Sequence, residues 1–178
     1  HCKSKVIFIQ SHRVESIEKR ARMYSNQDEV FGELFSKNPG NIKPGLERIK
    51  EALQFCEKPN INKKTILVGG TNGKGTTSGF LWELLHQDKN RVGLFTSPHL
   101  QNFRERFLGP SPITDSDITA AWKYLQSRLP SSVYANLSFF EVATLIALEL
   151  FRTAKTNVDI FEVGLGGRLD STNATDPA

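Results

Sequence analysis

Gly69-Gly70-Thr71-Asn72-Gly73-Lys74-Gly75-Thr76-Thr77 is the stretch of this chain whose residue types and spacing speak most directly of chemistry. Glycines let a backbone turn tightly enough for several N–H groups to converge on one anion. A lysine in the same turn adds a mobile positive charge that can follow the β- and γ-phosphates of a nucleotide. Thr65-Ile66-Leu67-Val68, just before the loop, reads as a strand buried in a parallel sheet. Just after it, Phe80, Leu81, Leu84 and Leu85 form one apolar face of a helix over residues 76–87. Such a helix adds free N–H donors and the positive end of its dipole. A glycine-rich turn that merely caps a helix is the alternative, and the strand and helix around the loop weigh against it. The general phosphate-loop form GxxxxGK[ST] is not met. It needs glycine at position 68 and a hydroxyl at 75, where Val68 and Gly75 stand, with the hydroxyls displaced to Thr76 and Thr77.

Two further residues join this loop once the elements that position them are read. Arg91-Val92-Gly93-Leu94-Phe95 and Val158-Asp159-Ile160-Phe161 are two more strands, and strongly apolar residues 139–152 between them form a helix buried on most sides. Thr114 and Asp117 make a capping box that opens a helix containing Ala120, Ala121, Tyr124, Leu125 and Leu129. Residues 101–113, with Gly109-Pro110 and Pro112, read as a loop or irregular hairpin. Leu46, Ile49, Leu53 and Phe55 suggest a short amphipathic helix, and residues 60–64 a polar linker. Strand, glycines, helix, strand, helix, strand is the alternation of an α/β domain with a parallel sheet flanked by helices. Ser97 follows the second strand and Glu162 ends the third. Both therefore fall on the carboxyl edge, where open α/β sheets bind ligands. A carboxylate closing an apolar strand needs a partner, and a cation supplies one. Ser97 alone reads as a loop hydroxyl making a turn.

The bulk composition bounds the rest. At 178 residues with 38% hydrophobic and 24% charged residues, the chain is globular rather than disordered. Twenty-three Lys and Arg against 19 Asp and Glu leave a net charge of +4, spread along the chain. With no basic stripe or interleaved aromatics, a nucleic-acid partner is not expected. Cys2 and Cys56 lie in no ligand spacing and read as thiols of a reducing cytoplasm. The run Val6-Ile7-Phe8-Ile9 is too short for a signal peptide, and no stretch approaches a membrane span. A cytoplasmic protein without a membrane partner is expected. Residues 1–40 form a poorly readable extension, with a charged stretch at 14–22 compatible with a helix and a break at Asn38-Pro39-Gly40.

At these residues the chain resembles a family, the folylpolyglutamate synthase/dihydrofolate synthase branch of the Mur ligases. Gly70-Thr71-Asn72-Gly73-Lys74-Gly75-Thr76 resembles its phosphate loop. Four further segments agree in order: Gly45-Leu46-Glu47-Arg48-Ile49-Lys50, Thr96-Ser97-Pro98-His99-Leu100 with Arg104-Glu105-Arg106, Leu137-Ser138-Phe139-Phe140-Glu141, and residues 162–173 around Gly164-Leu165-Gly166-Gly167-Arg168-Leu169-Asp170. The resemblance implies a central-domain fold of the Mur ligase type over residues 41–178. It implies ATP on Gly70, Thr71, Asn72, Gly73, Lys74, Gly75, Thr76 and Thr77, and Mg2+ on Ser97 and Glu162. Lys74 and Glu162 would then be catalytic. It also implies a pterin surface of Leu137, Ser138, Phe139, Phe140, Arg168, Leu169 and Asp170. Of the two phenylalanines, at least one is expected to be helix core. His99 reads as a loop-shaping side chain, while Arg104 and Arg106 either meet substrate carboxylates or lie on a solvated face.

The activity implied is ATP-dependent ligation of L-glutamate to dihydropteroate or a reduced folate, by a protein monomeric when full length. A different Mur-type ligase is the runner-up, and a non-catalytic nucleotide-binding module the reading from another class. Family members carry further sheet, a histidine ligand, a carbamylated lysine and a glutamate-binding domain. The chain is therefore expected to be a C-terminally incomplete piece, inactive by itself.

Overall fold

The computed structural model describes residues 32–34, 36–37, 45–57, 63–88 and 90–175. The readings for Cys2, for residues 6–9 and 14–22, and for 38–40 lie outside them. Helix α1 (Glu47–Leu53) leads to strand β1 (Lys64–Val68), helix α2 (Lys74–Gln87) and strand β2 (Val92–Phe95). A 3-10 turn (Phe103–Arg106) runs into β3 (Phe107–Leu108), followed by α3 (Asp115–Arg128), α4 (Ser131–Asn136), α5 (Phe139–Thr153) and β4 (Val158–Glu162). A second 3-10 turn covers Ser171–Thr175.

The sheet order is β1-β4-β2-β3. β4 pairs in parallel with both β1 and β2, so the last strand in sequence lies between the first two. The two-residue β3 runs antiparallel to β2, with Leu94 opposite Leu108 and Phe95 opposite Phe107. The mixed sheet is thus mostly parallel. Residues 101–113, expected as a loop or irregular hairpin, hold the 3-10 turn and the two-residue β3, whose partner β2 lies before that range.

Alternation along the strands divides the core into two layers. Val92, Leu94, Val158 and Ile160 face α2, where Leu81, Trp82 and Leu85 meet them. Phe95 and Phe161 face the other way, into a larger core with Phe107, Ile118, Leu125, Leu145, Ile146 and Phe151. The apolar period of α5 runs almost all round because it is buried on most sides. In α2, by contrast, Phe80 and Leu84 are 65% and 62% exposed. The single apolar face expected there is wider than the sheet covers. Similarly β1 is buried only at Val68, because it is the edge strand among the described residues. Phe55 falls beyond the end of α1 and is exposed. The capping box of Thr114 with Asp117 forms as expected, and Ser138 with Glu141 makes a second one at the start of α5.

At the amino-terminal end of the sheet, away from the phosphate loop, Lys63 Nζ meets Asp159 Oδ2, both side chains buried. Thr156 Oγ1 donates to Asp159 Oδ1 at 2.6 Å. Burial pushes the Asp159 carboxyl up, against the opposing pull of Lys63 and Thr156. A carboxyl raised in the folded state binds its proton more tightly there than in the unfolded chain. Its contribution is therefore full below the ordinary carboxylate range and is lost as pH rises through the folded value. Lys63→Met strands this carboxylate, so a loss of about 3–5 kcal/mol is expected near neutral pH. The loss should shrink toward about pH 4, because burial raises the carboxyl's pKa and so eases its uptake of a proton as pH falls. Urea denaturation at the two pH values checks this; an equal loss at both would reduce Lys63 to packing.

Candidate functional site

The site is assembled at the carboxyl edge by the strand order. Val68 lies opposite Glu162 in the register, and the Val163 N–H continues the ladder to the Val68 carbonyl at 3.0 Å. The phosphate loop therefore leaves β1 directly beside the carboxylate that ends β4. Gly73 is the N-cap of α2 with φ 76°, a left-handed conformation that glycine adopts without strain. Its carbonyl accepts the Thr77 N–H at 2.9 Å, which starts the helix within the loop, two residues earlier than the apolar period suggests. Gly70, Thr71, Asn72, Gly73, Gly75, Thr76 and Thr77 are all exposed, with their backbone reachable from solvent. Lys74 Nζ donates to the Gly70 carbonyl at 2.9 Å, bridging the turn it would serve.

Gly75 is where the loop departs from the general form, and the structure supplies a reason. A Cβ at this position would lie 3.7 Å from both carboxylate oxygens of Glu162. The space a hydroxyl side chain would take at this point is next to an acid. Glu162 is only 4% exposed, and its Oε2 accepts the Ser97 N–H at 3.0 Å. Oε1 has no hydrogen-bond partner among the described residues, and neither oxygen is in a salt bridge there. Sequence reasoning placed Ser97 and Glu162 on one edge, and the structure brings them into contact. A buried carboxylate with uncommitted acceptor capacity, a hydroxyl residue at its side and a phosphate loop in front is a donor set that fits Mg2+. That ion takes few protein oxygens and completes its shell with water and phosphate. No cluster of three or more His, Cys, Asp or Glu side chains that could hold a metal ion occurs among the described residues.

Across the sheet, the loop after β2 is held from inside. Glu105 accepts the N–H groups of Leu100, Gln101 and Asn102 at 2.7–3.3 Å, and these bonds hold its carboxyl below the ordinary range. Asn102 caps the 3-10 turn in return. Sequence reasoning passed over this clamp, although Asn102 and Glu105 carry capping-box spacing. His99 shapes the loop as expected, its Nδ1 accepting from Arg106 Nε at 2.8 Å. Arg104 and Arg106 separate: Arg104 is half-exposed and paired with Asp115, while Arg106 is buried.

The remaining segment, residues 164–170, is folded around Asp170. Its Oδ2 accepts the Leu165 N–H at 2.8 Å, and its Oδ1 accepts the Thr172 N–H and hydroxyl at 3.0 and 2.7 Å. Arg168 and Leu169 are exposed on this loop.

No family model matches the chain. It is 42% identical over 136 residues to a Haemophilus influenzae protein described as dihydrofolate synthase/folylpolyglutamate synthase, covering 76% of this chain and 30% of that one. The Escherichia coli enzyme solved in complex with DHPP and ADP superposes with TM-score 0.71 at 36% identity, over 82% of this chain and 35% of that one. A bifunctional folylpolyglutamate synthase/dihydrofolate synthase with Mn, AMPPNP and L-glutamate bound superposes with TM-score 0.66 at 37% identity, over 75% and 32%. The chain belongs to the folylpolyglutamate synthase/dihydrofolate synthase family. It spans about a third of the length of these relatives.

The segments that suggested this family differ in what they leave free. Leu137 is buried, so only its backbone can face a ligand, and Ser138 is engaged as the cap of α5. Glu141 closes that cap and pairs with Arg48 at 3.1 Å, which ties α1 to α5. Phe139 is core, edge-on to Phe103, whereas Phe140 is half-buried and packs against the backbone of Gly164. A Cβ on Gly164 would lie 2.7 Å from Phe140 Cζ and 3.2 Å from Asp170 Oδ2. Gly164→Ala should therefore displace both and destabilise the fold by about 1–3 kcal/mol. Chemical denaturation measures this; an unchanged midpoint would mean the loop yields without cost.

Proposed function

We propose that this chain provides the nucleotide- and acceptor-binding part of an ATP-dependent ligase joining L-glutamate to a pterin-bearing carboxylate. The observation that carries the reading is the contact of Ser97 and Glu162 beside the exposed Lys74 loop, at the carboxyl edge of a sheet whose relatives bind ADP, AMPPNP, DHPP and L-glutamate.

A carboxylate is a poor acyl donor. In the proposed reaction one of its oxygens attacks the γ-phosphorus of ATP, and ADP leaves. The glutamate amine then attacks the resulting acyl phosphate, loses a proton and expels phosphate, leaving an amide. Phosphoryl transfer asks a protein mainly for placement and charge neutralisation. The N–H groups of residues 70–77 and the dipole of α2 grip the phosphates, and Lys74 adds a positive charge. Ser97 and Glu162 hold Mg2+, which when bound neutralises charge on the phosphate oxygens. Phe140, with the loop shaped by Asp170 and carrying Arg168 and Leu169, offers a wall and an edge for a flat heteroaromatic ring. On this reading the glutamate pocket belongs to the part of the relatives' length that this chain does not span.

Mg2+-dependent ADP release by the full-length protein, with glutamate and either dihydropteroate or tetrahydrofolate, tests the proposal and names the acceptor. Release with neither, from folded protein that binds ATP, would overturn it in favour of another Mur-type substrate.

A further inference from the structure

Arg106 is a charged side chain in a position that the fold alone does not explain. It is 6% exposed, and Phe139 and Phe103 flank its guanidinium, with ring centroids 5.4 and 5.8 Å from Cζ. Nε donates to His99 Nδ1, a neutral acceptor, while Nη1 is buried with no hydrogen-bond partner among the described residues. No carboxylate pairs with it by contact among the described residues. Burial lowers its pKa to about 10, with Glu162 the opposing charge that sustains it. Leaving such a donor unmet costs a folded chain free energy without return unless something else meets it.

The sheet order says where that partner comes from. The phosphate loop leaves β1, Glu162 ends β4, Ser97 follows β2, and Arg106 precedes β3 opposite Thr96, whose N–H bonds its carbonyl at 2.9 Å. Neighbouring strands lie about 4.8 Å apart, so Arg106 is roughly 14 Å of sheet away from the strand that carries the phosphate loop. The cation ligands lie between. With the phosphates on the loop after β1 and the cation on β4 and β2, an acceptor beyond the γ-phosphate would stand toward β3, the strand that Arg106 precedes.

Resting on the ligase reading above, we propose that Arg106 is a substrate-contacting residue whose free Nη1–H receives the reacting carboxylate of the acceptor. A guanidinium matches a carboxylate in shape and charge, and the dry aromatic flanks strengthen the bond. Three roles are then distinct: Lys74 serves the nucleotide, Glu162 the cation and Arg106 the acyl group.

The test compares two ligands on the full-length protein by isothermal titration: pteroate, and the same molecule lacking its carboxyl group. For Arg106→Gln we expect pteroate to bind about tenfold or more weaker, with the carboxyl-free analogue and ATP within about twofold of wild type. Arg106→Lys keeps a positive charge at the same position but loses the fork of the guanidinium, and replaces Arg106→Gln in the comparison if the latter does not fold. Equal loss of both pterins would make Arg106 purely structural and overturn the inference, as would loss of ATP affinity or no loss at all. Wild-type protein that binds ATP but neither pterin overturns the proposed acceptor, and this inference with it.

Discussion

Lys74→Ala is expected to leave the thermal midpoint unchanged and to remove roughly two to three orders of magnitude of turnover, the range for deleting one group that stabilises transition-state charge. The stability half follows from where Lys74 sits. Its ammonium makes one hydrogen bond, to the Gly70 carbonyl inside its own turn, and that carbonyl is on an exposed loop that water can serve. A change of this kind falls within about 0.5 kcal/mol of neutral. The activity half follows from charge. The γ-phosphoryl group spreads negative charge over its oxygens during transfer, and a cation held against them by a rigid loop acts without reorganising. Differential scanning calorimetry beside an ADP-release assay on the full-length protein reads both halves. Full activity in the variant would sink the phosphate role. A lowered midpoint with residual activity would instead make Lys74 a brace of the loop.

How much of this was legible in sequence depended on how local each determinant is. The capping box of Thr114 with Asp117 is a contact between residues three apart, so composition and spacing suffice. The phosphate loop between strand and helix was readable for the same reason, as was β4, whose five residues are all buried. The edge position of β1 was not, because four apolar residues in a row look the same in the middle of a sheet and at its edge. Nor was the aim of α2: Phe80 and Leu84 complete an apolar period, yet the sheet meets Leu81, Trp82 and Leu85. β3 depends entirely on its partner β2. In the site, the shared edge of Ser97 and Glu162 could be inferred from strand ends. The bond between them, and the reason for Gly75, required the β1–β4 register. Arg104 and Arg106 were equivalent in sequence and were told apart only by burial against Phe103 and Phe139.

The Glu162 carboxylate invites the other large-effect substitution, because its charge can be removed at almost constant shape. In Glu162→Gln the amide oxygen can still accept the Ser97 N–H, so the link between β4 and the loop after β2 is kept. A buried carboxylate without a contact ion pair among the described residues does little for stability. The thermal midpoint of the variant should therefore hold or rise slightly. What disappears is a negative charge beside the phosphate loop that a divalent cation would share with phosphate oxygens. Turnover should fall by about two orders of magnitude or more. Mn2+ binding in the presence of ADP, followed by electron paramagnetic resonance, should weaken in parallel. Ser97→Ala should be milder on both readouts, because a neutral hydroxyl holds a hard cation less tightly than a carboxylate does. The order of the two variants is the decisive part. If Ser97→Ala cost more Mn2+ affinity than Glu162→Gln, the carboxylate would be a brace for the Ser97 backbone and the cation would rest on other oxygens. If Glu162→Gln abolished both Mn2+ binding and ADP release from a protein of unchanged midpoint, Glu162 would be assigned to the cation, with its bond to the Ser97 N–H serving to aim it.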